Sequence, residues 1–170
     1  MGGASTRFGS PKALATFDGE TLAERAWRIL SAACEERIAV GKTGELELPF
    51  PLLDDGAPIR APLAGVVAGL RAAAYDVAVF LPIDCPRITV AALRSLGAAC
   101  RDAAVPQTGP LPGAYSKSAL PVLERRLATG ALAIKDAVPE LDAATVELDA
   151  GLLANVNSPR DLAALSSRRK

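Results

Sequence analysis

Residues 76–84 read DVAVFLPID, and this stretch decides the fold. From Val77 to Leu81 the run is continuously apolar, the pattern of a central parallel strand covered on both faces. It predicts Asp84 directly at the strand's carboxyl end, where open α/β sheets hold their ligands. Working outward, PLAGVVAGLRAAA (62–74) places Leu63, Val66, Val67, Leu70 and Ala74 at helical spacing, with Pro62 at the helix start. On the other side, TVAALRSLGAAC (89–100) reads as a second helix.

Further out, TLAERAWRILSAACEE (21–36) predicts a helix opened by a Thr21–Glu24 capping box, with Leu22, Ala26, Ile29 and Ala33 on one face. RIAVG (37–41) reads as a short buried strand, and LPFPLLDDGAPIRAP (48–62) as loop. AAVPQ and PGAYS predict two short strands around TGPLP (108–112). KSALPVLERRLATG (117–130) and ALAIKDAVPEL (131–141) read as helices, with Pro121 near a helix beginning. AATVELD (143–149) is a late strand, and SPRDLAALS (158–166) a final helix with Ser158 as N-cap and Pro159 first. This alternation predicts one α/β domain over residues 1–170 with a mostly parallel sheet, and a disordered basic tail from 165 to 170.

Composition narrows the function. Aromatics are only 4% of the chain, so alanine, leucine and valine must pack helices against a sheet. Lys+Arg and Asp+Glu are 19 each without a long single-sign run, which argues against a nucleic-acid or membrane surface. Cys34, Cys85 and Cys100 lack C-x-x-C spacing and read as reduced thiols of a cytoplasmic protein. The chain contains no histidine, which disfavours a histidine-dependent hydrolase.

The chemistry concentrates in the opening, GGASTRFGSPKAL (2–14). Gly2 and Gly3 allow backbone N–H groups to approach phosphate oxygens, Arg7 offers a planar fork and Lys12 a mobile charge. An ordinary disordered terminus is the bland alternative. No strand is written ahead of Gly2, so the expected sheet has a gap beside the strand ending at Asp84. VGKTG (40–44) is a decoy: a P-loop needs an earlier glycine where Glu36 stands. The glycines at 2, 3 and 9 do not form G-x-G-x-x-G either. A lone Asp84 suits Mg²⁺, which takes few protein oxygens and completes its shell with water and phosphates.

Together these stretches resemble the nucleotidyltransferases with a Rossmann-like sheet. Within them the similarity is to the MobA-like NTP transferases, the molybdenum cofactor guanylyltransferases. GGASTRFGSPKAL matches the signature loop, APLAGVVAGL (61–70) the G-P-L-A-G helix start, PIDCP (82–86) the C-D-M-P turn, and NVNSPRDL (155–162) the N-[VI]-N-T-P-E-D-L ending. The resemblance implies a three-layer α/β fold whose first strand is truncated here. It implies that Gly2, Gly3 and Lys12 hold the nucleotide, with Arg7 at the triphosphate or leaving pyrophosphate. Asp84 would carry Mg²⁺ and contact the nucleotide, and Asn155 and Asn157 would lie near the acceptor and metal, unless they merely form an Asx turn. Asp54 matches a nucleotide contact but equally suits a turn in DDG, and Gly41 ends a strand where the family contacts the base. Departures are Ala61 for glycine, Cys85 for methionine, Gly109 for histidine, and a shortened region around residues 105–117 that in relatives helps to bind the acceptor.

The implied reaction is Mg²⁺-dependent transfer of GMP from GTP to the terminal phosphate of molybdopterin, releasing pyrophosphate. Arg7, Lys12 and Asp84 would be catalytic, working by positioning and charge stabilisation. Cytidylyl transfer to molybdopterin, nucleotidyl transfer to a sugar phosphate, and a non-catalytic nucleotide-binding domain are the alternatives. The expected protein is a cytoplasmic monomer in transient contact with other molybdenum cofactor enzymes.

Overall fold

The computed structural model describes residues 11–42, 47–58 and 61–167. The described chain opens with a 3₁₀ turn, Lys12–Leu14, and a small hairpin of β1 (Thr16–Phe17) and β2 (Glu20–Thr21). Asp18 and Gly19 both take positive φ at its tip, the conformation that an Asp-Gly pair supplies to a two-residue turn. Helix α1 (Leu22–Ala33) follows with the expected capping box complete: the Thr21 hydroxyl accepts from Glu24 N, and Glu24 accepts from Thr21 N.

Strands β3 (Ala39–Gly41) and β4 (Leu52–Asp54) form a parallel pair. The second corrects the reading of 48–62 as loop: Pro49 and Pro51 punctuate the segment, but Leu52–Asp54 still pairs with β3. Helix α2 (Pro62–Ala72) leads to β5 (Val77–Phe80), and α3 (Val90–Ala99) is capped by Thr89, whose hydroxyl accepts from Ala92 N. Strands β6 (Ala103–Pro106) and β7 (Gly113–Ser116) are the expected hairpin. Helix α4 (Leu120–Ala128), β8 (Ala143–Val146) and α5 (Pro159–Ser167) complete the chain. Residues 131–141 do not form the expected helix but two 3₁₀ turns, Ile134–Asp136 and Val138–Glu140. Pro139 lacks the N–H that a continuous helix would need there. Helix α5 continues to Ser167, so the tail expected to be disordered from 165 begins as helix; residues 168–170 lie outside the described residues.

The main sheet has the order β5-β7-β6-β8, with β7 antiparallel to both neighbours and β6 parallel to β8. Three of its four strands therefore point one way, a mostly parallel sheet interrupted by a hairpin partner. This corrects the expectation for residues 76–84: β5 pairs with one strand among the described residues, antiparallel, instead of lying between parallel ones. Among the described residues the β3–β4 pair forms a ladder separate from the main sheet; the opening residues, on which the expected gap beside β5 rests, lie outside them.

Side chains alternate across the sheet with the period of two that strands impose. Ala78, Phe80, Ala103, Val105 and Tyr115 pack with Leu63, Val67 and Leu70 of α2 and Leu123 of α4. Val79, Ala104 and Ala114 face the other way, against Leu93 and Leu96 of α3, and Ile29 of α1 joins that layer. The result is three layers, helix–sheet–helix. No helix among the described residues is long and apolar enough to cross a membrane.

Candidate functional site

The site grows from three loops, each fastened to the core by its own apolar residue. In the first, Ala13 is buried, which fixes the 3₁₀ turn and with it Lys12. The second follows β5. Pro82 cannot donate to a ladder, so the strand ends at Phe80 and the chain turns through Pro82–Cys85, with Cys85 N donating to Pro82 O. Asp84 thus sits in a turn four residues past the strand, not directly at its end as expected. Cys85 and Ile88 are buried with Ile29 and Leu93 and hold this turn down. The third loop reads Asn155-Val156-Asn157. Val156 is fully buried with Phe17, Leu22 and Leu162, leaving both asparagines exposed on either side of it.

These loops meet at one ammonium group. Lys12 Nζ donates to Asp84 Oδ2 at 3.1 Å and to Asn157 Oδ1 at 3.1 Å. Val156 N donates to the Asp84 carbonyl at 2.9 Å, joining the second and third loops through their backbones. Cys85 Sγ lies 3.0 Å from Asn155 Oδ1 and 3.8 Å from Asp84 Oδ1. Burial, first, and the neighbouring Asp84 charge push the Cys85 thiol up to about 12, so it is protonated at neutral pH.

The asparagine loop is not an Asx turn. Ser158 caps α5 by accepting from Asp161 N at 3.2 Å, and Asp161 Oδ2 accepts from Asn157 N at 2.8 Å. Hydrogen bonding from Asn157 N, then Ser158, holds the Asp161 carboxyl below its ordinary range.

Lys12, Asp84, Asn155 and Asn157 are therefore brought together. Gly41 and Asp54 form a second pair, side by side in the β3–β4 register. Asp54 Oδ1 accepts from Gly56 N at 2.8 Å, the turn contact that DDG allows. Gly2, Gly3 and Arg7 lie outside the described residues.

Three supports were not legible as parts of the site. Arg25 Nε donates to Pro86 O at 2.5 Å, while its Nη1 donates to Glu20 Oε1 at 2.7 Å and its guanidinium lies 5.0 Å from the Phe17 ring centre. Glu20 is placed by the Asp18–Gly19 hairpin, whose D-G signal was available in the sequence. Gln107 extends the β6–β8 ladder with its side chain: Nε2 donates to Leu148 O at 2.6 Å and Oε1 accepts from Leu148 N at 3.1 Å, pinning the segment that leads to Asn155. Lys42, inside the decoy VGKTG, pairs with Asp55 and the Ala57 carbonyl. No local pattern announces these last two, because each partner lies in a different element.

The donor set fits Mg²⁺. Asp84 Oδ2 and Asn157 Oδ1 are hard oxygens that already face one cation, the Lys12 ammonium. Among the described residues no cluster of three or more His, Cys, Asp or Glu could hold a metal, so protein oxygens would supply part of the shell and leave the rest to water or phosphate.

Comparison with known proteins bears on the chain as a whole. Residues 1–144 match the MobA-like NTP transferase domain. The chain is 38% identical to a protein of Deinococcus radiodurans named probable molybdenum cofactor guanylyltransferase, over 98% of this chain and 91% of that one. It is 31% identical to a protein of the same name from Rhodopirellula baltica, over 95% of this chain and 86% of that one. Among solved structures it is similar to molybdopterin-guanine dinucleotide biosynthesis protein A from Archaeoglobus fulgidus, with TM-score 0.81 and 22% identity over 98% of this chain and 94% of that one. A 2-C-methyl-D-erythritol 4-phosphate cytidylyltransferase from Thermus thermophilus shares the fold, with TM-score 0.72 and 22% identity over 92% of this chain and 93% of that one.

Proposed function

The chain belongs to the MobA-like NTP transferase family and is a nucleotidyltransferase, and from that premise we propose that it transfers GMP from GTP to the terminal phosphate of molybdopterin in molybdenum cofactor biosynthesis. One observation carries the site: Lys12 of the opening motif donates to Asp84 of PIDCP and to Asn157 of NVNSPRDL, residues 72 and 145 positions away. Three of the four motifs that resemble the family thus converge on a single ammonium group.

In the proposed reaction an oxygen of the acceptor phosphate forms a bond to the α-phosphorus of GTP. The α–β anhydride bond breaks and pyrophosphate leaves with its electron pair. A phosphate monoester has a second pKa of about 6, so the nucleophile is already ionised at neutral pH and needs no histidine base. The chain has none to offer. Lys12 neutralises phosphate charge, and Gly2, Gly3 and Arg7 cradle the triphosphate. Asp84, with Asn157 beside it, would hold Mg²⁺, which would supply charge stabilisation of the phosphates there. Asn155 and Asn157 meet the acceptor, and Gly41 and Asp54 the nucleoside. The proposed setting is the cytoplasm, with the chain a monomer in transient contact with other molybdenum cofactor enzymes.

A nucleotide panel tests this reading. With Mg²⁺ and molybdopterin present, pyrophosphate release is expected with GTP well above CTP, ATP and UTP. Preference for CTP would sink guanylyl transfer. Tight GTP binding without pyrophosphate release from any nucleotide would favour a non-catalytic domain instead.

A further inference from the structure

Cys85 follows Asp84 and is buried, only 3% exposed, yet its sulfur reaches a side chain at the surface. Sγ lies 3.0 Å from Asn155 Oδ1, across two loops separated by 70 residues. The amide oxygen can only accept, so the thiol hydrogen is the donor. The same loops are joined by Val156 N to Asp84 O at 2.9 Å. That backbone bond sets their separation but leaves the Asn155 carboxamide free to rotate. An exposed carboxamide has two faces of opposite character: an oxygen that accepts and an NH₂ that donates twice. With Oδ1 turned inward onto the thiol, the NH₂ faces away from Cys85.

We propose that Cys85 is a positioning residue that locks the Asn155 carboxamide with its NH₂ directed outward, so that it presents donors to an anionic, phosphate-bearing acceptor. The inference rests on the proposed reading that Asn155 meets the acceptor. An outward Oδ1 would repel a phosphate oxygen, whereas an outward NH₂ hydrogen-bonds it. Asp84 Oδ1, 3.8 Å from the same sulfur, lies close enough to share the thiol, so the lock sits against the carboxylate assigned to the metal without replacing it. Lys12 takes the other oxygen of that carboxylate, Oδ2, and also donates to Asn157.

The test compares wild type, Cys85→Ala, Cys85→Ser, Asn155→Ala and the Cys85→Ala/Asn155→Ala double variant, with pyrophosphate release measured against molybdopterin and against GTP. Cys85→Ala is expected to raise the KM for molybdopterin by about three- to tenfold, the loss of one neutral hydrogen bond. The KM for GTP should stay at its wild-type value, and Cys85→Ser, which keeps a donor, should restore the molybdopterin KM. In the Asn155→Ala background Cys85→Ala should add nothing, since the two groups act as a pair. A wild-type molybdopterin KM in Cys85→Ala, an equal rise in both KM values, or a full additive effect in the double variant would overturn the inference. The lock is also readable without turnover, from side-chain NMR of Asn155: one χ1 rotamer in wild type and averaging in Cys85→Ala. Averaging already present in wild type overturns the lock itself. A rigid Asn155 in a wild-type protein that releases no pyrophosphate would instead remove the proposed reaction.

Discussion

Lys12 joins an oxygen of Asp84, from mid-chain, to one of Asn157, from the last loop before α5, and this sets what each partner does. With Asp84 beside it, the pair of side chains carries no net charge, so an incoming triphosphate needs a further cation to balance it. Asp84 is the half-buried carboxylate proposed to hold one. Replacing Asp84 with alanine should therefore lower turnover by about 10²-fold or more, the scale of losing a preorganised charge contact in the transition state. The melting temperature should change little, because the turn is held by Cys85, Ile88 and the Val156–Asp84 backbone bond rather than by the carboxylate. Steady-state pyrophosphate release and thermal unfolding measured on the same preparation check both halves; near-normal turnover would contradict the metal assignment. Lys12, Asp84 and the asparagines were legible in the sequence because each stands in a short motif with fixed neighbours. Arg25 and Gln107 were not, because their partners are the carbonyl of Pro86 and the backbone of Leu148, and no spacing encodes a contact between elements.

At the level of elements, β7 departs most from a simple parallel reading. It returns from the β6 hairpin and inserts between β5 and β6, so the sheet carries one reversed strand. Its first residue, Gly113, makes the insertion possible: a Cβ there would stand 2.5 Å from the Pro110 carbonyl oxygen and 3.3 Å from that of Ala104. Both are backbone atoms, which cannot swing aside. Gly113→Ala should destabilise the protein by about 1–3 kcal/mol, the usual cost of overpacking. Urea unfolding followed by circular dichroism measures this, and an unchanged midpoint would show that the hairpin can relax. Helix α1 was legible because its capping box and apolar face lie within one stretch of chain. The helix expected over 131–141 failed at Pro139, and β4 was hidden between prolines because its pairing partner, β3, supplies what the local sequence lacks. The order of strands was not legible either, since hydrophobic runs mark strands without saying which neighbours they take.

Over the whole molecule, α2 ties the two ladders together. A Cβ on Gly69 would come 2.7 Å from Phe80 of β5 and 3.7 Å from Val40 of β3, so one helix lies closely over a strand of each ladder. The β3–β4 ladder carries Gly41 and Asp54, whereas the loop after β5 carries Asp84. On the proposed reading the nucleoside is held from one ladder and the phosphates from the other, so chemistry depends on α2 keeping them in register. The proposed arrangement moves a nucleotidyl group rather than a phosphoryl group. This is tested most directly by incubating the full chain with Mg²⁺, molybdopterin and GTP labelled at the α-phosphorus, then separating the products. Label should pass into a molybdopterin–GMP product one for one with released pyrophosphate; label that stays in GTP or emerges as free GMP would rule out nucleotidyl transfer to molybdopterin.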